Sequence, residues 1–248
     1  MEEEPLEAIV AGFWGFVGGA ALLVGAFIGL YAGASQRVIS IVMAVGAGVL
    51  ISSVAFELME EAYRKGGFDT PAVGLLLGAV AYFAADWAVS RHAKHRKRSQ
   101  GQQEGGSGTA ITIGALMDGI PESVAIGVSL IGGGAVSAAM VAAVFLSNVP
   151  EGLSAAAGMK KAGHSAAYIL GLWGSVVMVS AVAALFGYLF LAGASGEVVA
   201  VIQSFAAGGI LTMLASTMLP EAYEEGGAVV GVVTTIGFLA AFMLSHME

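Results

Sequence analysis

The sequence is short of charge and has no cysteine. Charged residues make up 11% of its 248 residues, against roughly 25% in a typical soluble domain. So few charges cannot cover the surface of a soluble protein of this length, which excludes a soluble enzyme and a nucleic-acid-binding module. The lack of cysteine excludes disulfides, thiolate metal sites and cysteine nucleophiles.

Long apolar segments take the place of the missing charge. Hydrophobic residues make up 57% of the chain and the mean hydropathy is +0.85. A membrane-spanning helix needs roughly 20 mostly apolar residues. The sequence therefore predicts an all-α integral membrane protein, a single transmembrane domain over 1–248 with eight transmembrane helices. The eight segments lie at about 7–31, 37–60, 70–90, 109–131, 134–158, 164–191, 197–220 and 228–246.

Basic residues indicate the orientation of these helices. With eight spans both termini lie on one side, and eight of the ten basic residues fall on the other, five of them in the loop 91–108. The positive-inside rule places this loop in the cytoplasm and both termini outside. Residues 99–108 of the loop have the composition of a flexible linker. We therefore expect a multi-pass protein of the plasma membrane that contacts lipid and no nucleic acid.

Two internal repeats indicate how the helices are arranged. The motif Glu-Ala-Tyr at 61–63, followed by Gly-Gly at 66–67, recurs 160 residues later at 221–223 and 226–227. Segments 2 and 7 cross in opposite directions, so segments 1–3 and 6–8 are expected to form an inverted repeat. A second repeat relates segments 4 and 5, which both contain Pro-Glu. The result is a 3+2+3 arrangement, a pattern known in secondary transporters.

Three carboxylates fall near the middle of predicted spans: Asp118 and Glu122 in segment 4, and Glu151 in segment 5. An ionised carboxylate at the centre of a bilayer costs about 2.5–3.5 kcal/mol. No Lys or Arg lies inside a span to pair with these groups. Either the three are protonated, or a cation lies among them. The repeat-related pair Glu61 and Glu221 is expected at solvated helix ends.

The spacing of polar residues around these carboxylates favours a bound cation. Asp118 and Glu122 are four residues apart, as are Ser147 and Glu151, so each pair shares a helix face. Asn148 lies three residues before Glu151. Each glutamate follows a proline, which leaves the carbonyl four residues earlier without its helical donor. Such an oxygen-rich set suits a divalent metal; hydrogen bonding between two kinked helices is the alternative.

These features resemble the ZIP (Zrt/Irt-like) family of divalent metal transporters, with the chain as a divergent prokaryotic-type member. The family has eight spans, both termini outside, a 3+2+3 inverted arrangement and a longer cytoplasmic loop after its third helix. Its fourth and fifth helices carry motifs of the type His-Asn-x-Pro-Glu-Gly. By position, Glu122 and Glu151 match the motif glutamates and Asn148 the asparagine, while Asp118 and Ser147 replace histidines or other polar residues.

The resemblance implies that the chain carries a divalent metal ion as transported substrate into the cytoplasm and is not an enzyme. Family likeness favours Zn²⁺ or Fe²⁺, the all-oxygen ligand set favours Mn²⁺ or Fe²⁺, and Cd²⁺ is a further candidate. Segment 6 has no acidic residue, so one metal ion is expected rather than two. The expected metal ligands are Asp118, Glu122, Ser147, Asn148 and Glu151, with Glu57 as a candidate entrance residue.

Other classes of function remain open at this point. A proton-coupled carrier of a small organic solute would use the same carboxylates as titrating groups. An intramembrane aspartyl protease needs an aspartate in each of two neighbouring spans, and segment 5 has none to match Asp118. A homodimer is left open, since the sequence carries no signal of the oligomeric state.

Overall fold

The structure, a computed structural model, describes residues 3–33, 35–92, 108–131 and 138–247, which are almost entirely helical and contain no strand. Most of the predicted loop 91–108 lies outside these residues. Two π-helical turns, at Val54–Met59 and Leu214–Met218, each join two α-helices into one continuous stretch. The α-helices are α1 Glu3–Tyr31, α2 Gln36–Ser53, α3 Glu60–Gly66, α4 Asp69–His92, α5 Gly108–Ser129, α6 Ala138–Lys161, α7 Ala166–Leu191, α8 Gly196–Met213, α9 Leu219–Gly226 and α10 Val229–Ser245.

The helices have the length and composition of membrane spans. Within the described ranges, six stretches are long and apolar enough to cross a bilayer, and Val229–Ser245 is apolar but shorter. Large apolar side chains such as Leu76, Phe190 and Ile236 are exposed, as expected where lipid replaces water. The chain is therefore an all-α, multi-pass membrane protein. The six stretches are Pro5–Tyr31, Gln36–Gly66, Asp69–Ala88, Met140–Lys161, Ala166–Leu191 and Gly196–Gly226.

Local structure recurs at the offset of 160 residues found in the sequence. The π-helical turn follows α2 in one half and α8 in the other. Gly67 and Gly227 end α3 and α9 with φ of +69° and +67°, a left-handed conformation that favours glycine. The predicted segments 37–60 and 197–220 accordingly continue as helix to these glycines.

Helix contacts follow the same offset. α4 packs on α8 as α10 packs on α2, and α3 contacts α8 as α9 contacts α2. α1 packs on α6 and α7 on α5, while α1 and α7 contact each other. Small residues allow these approaches: a Cβ at Gly48 would collide with the Thr234 carbonyl, and one at Gly208 with that of Leu75. Each contact in one half thus has a counterpart in the other.

Hydrogen bonds at both ends of α1 define the directions of its neighbours. The Tyr188 hydroxyl near the end of α7 donates to Glu7 near the start of α1. The Lys160 ammonium at the end of α6 donates to the carbonyl oxygen of Leu30 at the end of α1. α7 is therefore antiparallel to α1, and α6 is parallel to it.

A buried hydrogen bond joins α2 to α9. The Ser40 hydroxyl, 1% exposed, donates to the Ala222 carbonyl oxygen at 2.6 Å. We expect Ser40→Ala to lower the free energy of unfolding by about 0.5–1.5 kcal/mol, since the carbonyl loses its side-chain donor. Thermal unfolding in detergent measures the effect. Ser216→Ala is the control, because the exposed Ser216 hydroxyl bonds only within its own helical stretch; equal melting temperatures for the two variants would contradict the prediction.

Candidate metal-binding site

Two interior prolines shape the helices that carry the predicted site. Pro121 lies inside α5 and Pro150 inside α6. Because proline has no N–H, the carbonyls of Met117 and Leu146 lose their usual helical donor. Each proline is followed by a glutamate, so both carboxylates lie next to an interruption in the backbone hydrogen bonding.

A small cavity lies where α5 and α6 face α2 and the α8–α9 stretch. The space open to the centre of a water-sized particle is about 20 Å³, room for about one water molecule or one small ion. Glu122, Ser147 and Glu151 of the predicted ligand set line it. The remaining lining residues are Met43, Pro150, Ser154, Met213, Met218 and Glu221.

Glu122 is the most deeply buried carboxylate of the cavity. It is 1% exposed, and the Ser147 hydroxyl lies 3.4 Å from its Oε1. The same hydroxyl lies 3.0 Å from the Val144 carbonyl oxygen, so it has two acceptors within reach. A hydroxyl of α6 therefore faces a carboxylate of α5 across the cavity, which is the juxtaposition that the spacing in the sequence predicts.

The electrostatic character of the cavity is set by its carboxylates. Glu151 and Glu221 are half-buried and line it together with Glu122. No basic residue is among the described residues that line it. Burying a negative charge is costly unless a cation or hydrogen-bond donors stabilise it. The cavity therefore favours a positively charged occupant.

These carboxylates do not converge on one point. Within the part of the chain that the structure describes, no three His, Asp or Glu side chains come together closely enough to hold one metal ion. Asp118 belongs to α5, but its side chain lies outside the described residues. The cavity therefore provides Glu122 and Glu151 on opposite walls rather than a complete ligand shell.

Two other predicted residues lie away from the cavity wall. Asn148 is 3% exposed, and its Nδ2 donates to the Gly18 carbonyl oxygen of α1 at 3.1 Å. This amide links α6 to α1 and is not among the residues that line the cavity. Glu57 lies in the π-helical turn after α2, half-buried, and also outside the cavity lining. Its entrance role stays a prediction.

Neither a scan against protein-family models nor a search of curated proteins found a match for the chain. Its function is therefore inferred from the cavity, the repeat and the sequence motifs. These three features concern different parts of the chain, and all of them bear on the two proline-containing helices.

Sequence reasoning missed several residues of the cavity. Met43, Met213 and Met218 line it, but a methionine in an apolar helix is indistinguishable by pattern from one that faces lipid. Glu221 carried a signal through its repeat relation to Glu61, yet a solvated helix end was expected. The structure instead has Glu221 half-buried in the cavity wall, because the preceding π-helical turn rotates the residues that follow it.

Proposed function

We propose that the protein transports divalent metal cations of the zinc, iron or manganese class into the cytoplasm, as members of the ZIP family do. One observation carries the proposal. Two glutamates that follow prolines in α5 and α6 line a single ion-sized cavity, whose described wall has no basic residue. Ionised carboxylates within a span need a cation, and a transported metal ion supplies it.

The ion is held between α5 and α6. Glu122 and Glu151 provide carboxylate oxygens and Ser147 a hydroxyl, while Asp118 stays a predicted ligand one turn before Glu122. Because the described carboxylates do not converge, binding draws the two glutamates together around the ion. Met43 adds a soft thioether donor to the wall, which favours zinc, cadmium or iron over manganese.

We infer that the helices form eight spans in a 3+2+3 inverted repeat, with α5 and α6 as the central pair. The paired helix contacts and the two π-helical turns at the repeat offset support this arrangement. α10 serves as the eighth span: its 17 residues reach about 25 Å, close to the roughly 30 Å of a hydrocarbon core.

The proposed orientation puts the termini outside and the cavity on the cytoplasmic side of the bundle. The lining residues Pro150, Glu151 and Ser154 belong to the second half of α6, which ends at Lys161. In the proposed orientation this end faces the cytoplasm. A metal ion between Glu122 and Glu151 would thus be next to its exit.

A carrier of a small organic solute is the less favoured alternative. The carboxylate-lined cavity has room for about one water molecule. A larger cavity of about 310 Å³ lies between α4, α5 and α8, but none of the described residues lining it is a carboxylate. The space and the titratable groups that such a carrier needs are therefore in different places.

Uptake and binding measurements separate the two functions. The purified protein in liposomes is given Mn²⁺, Zn²⁺ or Cd²⁺ outside at constant pH, and metal inside is measured against protein-free liposomes. We expect saturable uptake, with saturable binding of at least one of these ions by calorimetry. Proton-dependent solute transport without saturable metal binding would contradict the proposal.

A further inference from the structure

The carboxylate that lines the cavity has a repeat counterpart at the other end of the bundle. Glu61 and Gln203 stand at the offset of 160 residues from Glu221 and Met43. Whereas Glu221 and Met43 line the cavity, the Gln203 amide nitrogen Nε2 donates to Glu61 Oε2 at 2.9 Å. The bond joins α3 to α8, so the equivalent space at this end is closed by contact between the two side chains.

A basic side chain also reaches this carboxylate. The Lys65 Nζ lies 2.6 Å from Glu61 Oε1, and the nitrogen is buried although 24% of its side chain is exposed. The repeat counterpart of Lys65 is Glu225, which has the opposite charge. A cation built into the chain therefore accompanies Glu61 and has no counterpart beside Glu221.

Gln203 offers a further oxygen at the same place. Its side chain is 1% exposed, and its Oε1 has no hydrogen-bond donor among the described residues. Because Nε2 of the same planar amide contacts Glu61, this oxygen is held beside the carboxylate. An unsatisfied buried carbonyl oxygen is costly, and carboxylate and amide oxygens together are ligands that hard divalent cations prefer.

We propose that Glu61 and Gln203 form a second cation-binding site, at the outer end of the bundle, and that the Lys65 ammonium fills it in this conformation. The site takes a divalent metal ion arriving from outside, which displaces the ammonium while the flexible Lys65 side chain turns to solvent. Its role as a first binding step rests on the proposed transport function. Its ability to bind a cation rests only on these three side chains.

The test measures Mn²⁺ binding to the full chain in detergent, from the spin-resonance signal of free Mn²⁺. The double variant E122Q/E151Q removes the two central carboxylates and leaves the outer site. In that background we expect K65M to tighten Mn²⁺ binding about tenfold or more, because the competing positive charge is gone. Adding E61Q should abolish this binding, and adding Q203M should weaken it several-fold.

Arg64→Met is the matched control. It removes a positive charge from the same helix, one residue earlier, where Arg64 pairs with the exposed Glu60. R64M should leave Mn²⁺ binding in the double variant unchanged. Tightening by R64M equal to that by K65M would overturn the proposal by showing a general charge effect, as would K65M without any tightening.

The outcome is independent of the central site. If wild-type protein shows no central binding that E122Q/E151Q removes, the proposed transport site fails while the outer site is still tested in the double variant. If central binding is present but K65M and E61Q change nothing, only the outer site fails. Size-exclusion profiles check folding, and Q203M provides a second variant should E61Q misfold.

Discussion

Glu122→Gln and Glu151→Gln are each expected to reduce metal uptake by about a hundredfold or more. Each substitution keeps the size of the side chain and removes a carboxylate from a cavity with room for about one ion. Loss of a residue that merely supports a metal ligand already costs about 10–100-fold, so loss of a ligand should cost at least the upper end of that range. Initial rates of Mn²⁺, Zn²⁺ and Cd²⁺ uptake into liposomes measure the effect.

A control and a second readout accompany these variants. Glu60→Gln removes a carboxylate of similar size from an exposed position and should leave uptake unchanged. Bound metal stabilises a protein in proportion to its affinity, by about 2.7 kcal/mol at a hundred times Kd. Metal should therefore raise the melting temperature of the wild type and of Glu60→Gln, and not that of Glu122→Gln. Near-normal uptake in either central variant would refute the proposed site.

Gly25→Ala is expected to have the largest effect on stability and to impair uptake without touching a ligand. A Cβ at Gly25 would collide with the carbonyl oxygen of Val149, the residue just before Pro150. Gly152 makes a similarly close approach to the Leu22 carbonyl. Overpacking typically costs about 1–3 kcal/mol, and here it must also push α6 away from α1. Glu151 would move with α6, so metal binding should weaken as well.

Thermal unfolding in detergent, together with Mn²⁺ binding to the folded fraction, tests this prediction. Gly171→Ala is the control, because it lies in a helix and a Cβ there meets nothing within 4 Å. Alanine favours a helix over glycine by about 1 kcal/mol, so Gly171→Ala should melt at or above the wild-type temperature. Similar melting temperatures for Gly25→Ala and Gly171→Ala would show that the α1–α6 contact is less tight than described.

Part of the candidate site follows from spacing alone. Ser147 and Glu151 are four residues apart and both line the cavity, since side chains one turn apart share a helix face. Asn148 is three residues from Glu151, a spacing equally compatible with that face. Its side chain instead bonds Gly18, because α1 packs closely on that side of α6. Spacing along a helix limits which residues can meet but does not say which neighbour covers each side.

The second half of the cavity wall was beyond the reach of spacing. A π-helical turn adds about one residue to a helical turn and rotates everything after it by about 100° relative to an uninterrupted α-helix. Leu214–Met218 forms such a turn immediately before Glu221. An assumption of regular α-helix between 197 and 220 therefore cannot predict which way Glu221 faces. The methionines of the wall carried no signal at all.

The sequence by itself determined that the chain is helical and crosses the membrane. In lipid every backbone N–H and C=O must be satisfied within the segment, so long apolar runs have to be helices, and shortage of charge is enough to find them. The tertiary structure decided which polar groups share a cavity, since that depends on helix rotation and on close approaches at glycines such as Gly25. It also gave Glu221 a place beside Glu122 and left its repeat counterpart Glu61 paired with Lys65. Two nearly identical motifs differ in this way because their neighbours, Met43 and Gln203, come from a different helix in each half.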